Sequence, residues 1–106
     1  MIHPFQKKIA FEVHIMDEQS NKIHYELWLN TSISGKPYFS MFRSHDNDLS
    51  KHVVMYYETN ISKAIKKFED SSGYKIPYSN LLYISYRYIS LMIEYRFYLK
   101  HSEMYK

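Results

Sequence analysis

LLYISYRYISLMIEYRFY, Leu81 to Tyr98, decides the fold of this chain. Its eighteen residues hold five tyrosines and three charges, with no glycine or proline. Tyr and Ile favour strands, and YISYRYIS alternates acceptably as one. Yet Tyr78 to Lys106 contains no Gly, Pro or Asn beyond Asn80 to turn a hairpin, and a single strand would be far too long. Helical spacing also sorts the residues. Arg87, Ser90, Glu94, Tyr98 and His101 follow steps of three and four along one side. Leu82, Tyr86, Ile89, Ile93 and Phe97 form one apolar row, and Leu81, Ile84, Tyr88, Met92, Tyr95 and Leu99 form another. The stretch predicts a helix packed through both rows, with Tyr86, Tyr88, Ile89 and Ile93 in structural positions. Arg87, Glu94 and Arg96 in its middle exclude a membrane span.

Upstream the period is two. Ile9, Phe11, Val13 and Ile15 alternate with Ala10, Glu12, His14 and Met16; after DEQSN, Ile23, Tyr25, Leu27 and Leu29 alternate with Lys22, His24, Glu26 and Trp28. Two such runs across a short polar loop read as a β-hairpin with both apolar sets facing the core. TSISGKP breaks the pattern, KPYFSMFRS supplies a third strand, SHDNDLS reads as a polar loop, and HVVMYYE, His52 to Glu58, is a fourth strand. The period then lengthens. Asn60 can cap a helix with Ile61, Ala64, Ile65 and Phe68 on its apolar face, and Gly73 sits where such a helix closes. A proline and a Ser79 or Asn80 cap then lead into the Tyr-rich helix. The expected architecture is α+β, ββββαα, an antiparallel sheet covered on one face by two helices. One domain spans residues 1–106, with the sheet in 1–58 and helices over 60–73 and 79–103.

Composition limits function more than it assigns it. Aromatic residues make up 18% of the 106, twelve of them Tyr. Lys outnumbers Arg eleven to three, and Ile, Asn and Ser are plentiful, a bias typical of AT-rich phage, mobile-element or low-GC genomes. No cysteine is present, which excludes disulfides, thiolate metal sites and cysteine nucleophiles and fits a reducing, cytoplasmic setting. The net charge of +3 is unevenly placed: residues 1–73 carry nine basic and nine acidic groups, residues 74–106 five basic and two acidic. Eight of the twelve tyrosines share that basic last third.

Few residues form a chemical constellation. On the hairpin's polar face a five-residue loop sets His14 opposite His24 and Glu12 opposite Glu26, a set able to hold a divalent ion. A three-residue loop would instead pair Glu12 with His24. The bland alternative is a solvated outer sheet face, and no metal or cofactor is expected. HDNDLSKH, His45 to His52, lacks the glycine and ligand spacing of a calcium loop. The two glycines lie in separate turns, so no phosphate loop exists, and no serine sits in a nucleophile elbow. A non-catalytic role is therefore expected.

Tyr beside Arg suits either protein–protein hot spots or base stacking with phosphate pairing. The favoured expectation is a stoichiometric regulator or inhibitor docking on a protein or nucleoprotein partner through Tyr83, Arg87, Glu94, Tyr98 and His101. A mobile-element inhibitor of host defence belongs to that class. The alternative is direct nucleic-acid binding through Arg43, Arg87, Arg96 and Lys100, and a metal-dependent enzyme is the third reading. A helix apolar on two sides can also pair with its own copy.

FEVHIMDEQSNKIHYELWL, PYFSMFRS and ISKAIKKFEDSSGY, in that order, resemble the WGR module of certain poly(ADP-ribose) polymerases and stand-alone bacterial proteins, over residues 11–78. The resemblance implies DNA contact at the end of the third strand. There the family's Trp-Gly-Arg is replaced by FRSHDND, so only Arg43 carries over.

Overall fold

The computed structural model describes residues 7–16, 18–45 and 48–104, and side chains for 8–16, 18–45 and 56–100. Strands β1 (Lys7–Met16), β2 (Lys22–Thr31), β3 (Pro37–His45) and β4 (Asp48–Glu58) precede helices α1 (Ile61–Ser72) and α2 (Tyr78–Met104). The strands form one antiparallel sheet in the order β1-β2-β3-β4, so every strand pairs with its neighbour in sequence. The ββββαα arrangement read from the sequence is the one observed.

The inner face of the sheet carries Tyr25, Leu27 and Leu29 from β2 and Phe39 and Met41 from β3, all buried. Ala64 and Phe68 of α1 and Ile84 and Leu91 of α2 close over them, with Ile76 from the connection. Phe11 joins this layer through an edge contact to Phe68 (centroids 5.7 Å apart) and a stacked contact to Tyr74 (6.0 Å). Tyr88 stacks on Phe39 at 5.5 Å while its hydroxyl donates to the Thr59 carbonyl at 3.0 Å, so one ring both packs and anchors α2 to the end of β4.

Helix α1 has the ends its sequence predicts. The Asn60 side-chain oxygen accepts from the Lys63 N–H at 3.0 Å, and Gly73, at φ 71°, donates its N–H to the Glu69 carbonyl. Helix α2 begins one residue early: the Leu81 N–H donates to the Pro77 carbonyl at 3.0 Å, so Pro77 stands at the cap and Ser79 and Asn80 lie in the first turn.

Three further expectations need correction. A bulge at Ala10 shifts the β1 register between Ile9 and Phe11, placing Ile9 opposite Trp28 on the outer face, 44% exposed. SHDNDLS is mostly strand, because β3 runs to His45 and β4 starts at Asp48, with His45 paired to Asp48. The side chains of 46–52 lie outside the described residues. The largest correction concerns α2. Only the row of Leu81, Ile84, Tyr88, Met92 and Tyr95, with Leu91, turns toward the sheet. Leu82, Tyr86, Ile89, Ile93 and Phe97 face solvent, 54–68% exposed. A sheet touches one side of a helix, and nothing described covers the other.

Candidate functional site

The hairpin adopts the five-residue loop, so Glu12 stands opposite Glu26 and His14 opposite His24. All four lie on the outer face, turned away from the helices. The two imidazoles stack, centroids 4.1 Å apart and planes within 5°. His24 Nε2 lies 3.2 Å from Glu12 Oε2, and the ligand atoms of Glu12, His24 and Glu26 fall within 4.8 Å of one another. His14 supports this trio through its ring rather than belonging to it. One nitrogen and two carboxylates suit a divalent cation; a His–Glu hydrogen bond beside a buried carboxylate accounts for the same distances.

That outer face is less solvated than its polar sequence implies. Glu26, Asn30, Ser40 and Ser44 are all buried, flanked across the strands by Trp28 and Phe42. Asn30 donates to the Ser40 hydroxyl at 2.8 Å, and the Trp28 and Phe42 rings meet edge-on at 5.8 Å. The indole N–H of Trp28 is buried and has no hydrogen-bond partner among the described residues.

The second candidate is the outward side of α2. Of the predicted ridge, Tyr83 and Glu94 are exposed, Arg87 and Tyr98 are half-buried, and the His101 side chain lies outside the described residues. Beside the ridge runs the uncovered row of Leu82, Tyr86, Ile89, Ile93 and Phe97, which sequence reasoning assigned to the core. The true surface is therefore wider and more apolar than the ridge alone. Tyr98 also lines an open groove of about 1170 Å³ with Tyr38, Tyr57, Ile33 and Lys36. Ile33 at the rim is 91% exposed, and Tyr38 and Tyr57 meet at 6.1 Å.

The basic residues do not converge. Arg43 lies half-buried on the inner face of β3, opposite Tyr25. Arg87 and Arg96 are about two and a half turns apart, on opposite flanks of α2. Arg96 and Lys100 are exposed toward its C-terminal end.

No protein family, curated protein or solved structure matches this chain. Among the described residues, no helix is long and apolar enough to cross a membrane.

Proposed function

We propose that this chain is a non-catalytic interaction protein, a stoichiometric regulator or inhibitor acting in the cytoplasm by docking on a protein or nucleoprotein partner. The observation that carries this reading is the row of Leu82, Tyr86, Ile89, Ile93 and Phe97, five large apolar side chains left in solvent along one helix. Isolated apolar residues on a surface are ordinary, whereas a contiguous aromatic and aliphatic strip marks an interaction site. Tyr83, Arg87 and Tyr98 run along one flank of the strip, with Glu94 among them, and Tyr and Arg are residue types that carry interface energy. Direct nucleic-acid binding, including the DNA contact implied by the WGR resemblance, has less support, because Arg43, Arg87, Arg96 and Lys100 form no continuous basic stripe.

Affinity capture from the native cells, comparing the wild-type chain with Ile93→Lys, tests the reading. The variant should keep the circular dichroism spectrum of the native chain and lose the specific partner. Retention of that partner by a folded Ile93→Lys chain rejects α2 as the docking surface.

A further inference from the structure

The row on α2 is written to fit itself. Leu82, Tyr86, Ile89 and Ile93 follow steps of four, three and four, the spacing that lets two helices interlock, and Phe97 extends the strip by a turn. From Leu82 to Phe97 it runs about 22 Å at 1.5 Å per residue. The sheet lies on the opposite side of α2, so nothing described obstructs a second helix. One flank of the strip carries Arg87 and then, two turns on, Glu94. Neither has an ion-pair partner among the described residues. Arg87 also shares a small cleft with Lys8, lined by Ile9, Ala10, Leu29 and Leu91 and without any carboxylate.

We infer that α2 pairs with α2 of a second copy of this chain, antiparallel, about a twofold axis level with Ser90 and Leu91. This rests on the reading of α2 as an interaction surface and names an occupant for it. With the axis there, Arg87 of each copy stands level with Glu94 of the other, so the twofold yields two equivalent ion pairs on the same flank. Each Glu94 also brings a carboxylate to the cation-rich cleft of Lys8 and Arg87. Along the seam Tyr86 falls between Ile93 and Phe97 of the second copy, and Ile89 falls between Ile89 and Ile93. A parallel pair would set the two Lys100 side chains level beside the strip; the antiparallel pair sends them to opposite ends. It also opposes the two helix dipoles favourably.

Light scattering across a concentration series, with the full chain, reads the outcome. The wild type should show twice the 12.9 kDa chain mass, and Ile89→Lys or Ile93→Lys should return it to monomer with an unchanged circular dichroism spectrum. Arg87→Glu should weaken pairing by about tenfold, and adding Glu94→Arg should restore most of that loss. A spin label on Lys100→Cys, clean because the chain has no other cysteine, should show the two labels far apart. A wild type that stays monomeric at its solubility limit overturns the pairing. So does a dimer that survives Ile93→Lys, a charge exchange that restores nothing, or a short label-to-label distance. Failure of the broader docking reading is a separate result, a partner still captured by the Ile93→Lys chain whatever its oligomeric state.

Discussion

Lys67 reaches back from α1 to Glu58 at the end of β4, its Nζ 3.1 Å from Oε2. The other Glu58 oxygen accepts from the backbone N–H groups of Thr59 and Asn60, each at 3.1 Å. One carboxylate thus holds the turn where the sheet hands over to the helices. The Asn60 N–H and then Lys67 hold its pKa below the ordinary carboxylate value of 4.5.

The sign of the pH dependence follows. A carboxyl whose pKa is lower in the folded chain contributes stability above its unfolded pKa and loses it as pH falls through the folded value. Glu58→Gln should lower the melting temperature at neutral pH, and the gap to wild type should close progressively below pH 4.5. Parallel thermal melts of the two chains across that range check it. Tyr56 moves the other way: burial, then the neighbouring Glu58 charge, raises its hydroxyl pKa, while the hydroxyl donates to the Ala64 carbonyl at 2.7 Å. Its hydroxyl should therefore stay protonated to higher pH than a free tyrosine, which ultraviolet difference titration of the wild type against Tyr56→Phe reads.

The two rows of α2 should respond oppositely to truncation. Ile84 is fully buried against the sheet, so Ile84→Ala should cost about 2–5 kcal/mol. Ile93 is 63% exposed, and Ile93→Ala in the dilute chain should stay within about 0.5 kcal/mol. Chemical denaturation of both variants at low protein concentration makes the comparison.

This contrast also marks where the sequence stops being legible. The apolar periodicity of Leu81 to Tyr98 and its lack of turn formers suffice to specify a helix. They cannot specify which row is buried, because the helix is apolar around most of its circumference and only the sheet's position breaks the tie. The hairpin cluster was legible up to one choice, the loop length, and the five residues between the strands made it. Ile9 was not legible: a bulge at Ala10 exchanges the faces of Lys8 and Ile9 before it, while the alternation from Phe11 onward is kept. The Asn60 and Gly73 ends of α1 were readable because capping depends on local geometry alone.

Gly73 supplies a third test. A Cβ there meets nothing within 4 Å, so the left-handed φ of 71° is the only obstacle to a side chain. Gly73→Ala should cost about 1 kcal/mol, and Gly73→Asn distinctly less, since Asn tolerates that conformation. Removing the opposite cap with Asn60→Ala should cost about 1 kcal/mol.

Trp28 supplies a fourth. Its buried indole N–H lacks a partner among the described residues, and such an orphaned donor carries a penalty of roughly 1–3 kcal/mol. Trp28→Phe removes that donor while giving up ring volume beside Phe42. The two effects oppose each other, and the denaturation midpoint should move little, with an unchanged denaturant slope. A large loss of stability would mean that ring volume outweighs the orphaned donor.

The sequential order of the strands has a kinetic consequence. Each ladder joins neighbours separated by a short connection, so no long loop must close before the sheet is rewarded with contacts. Low contact order of this kind favours rapid folding, with the four strands zipping from their turns. Helix α2 lies farthest from the strands it covers, reaching back to Phe39 through Tyr88. Its packing on the sheet should therefore be completed last, with hydrogen-exchange protection gained after that of β2 and β3.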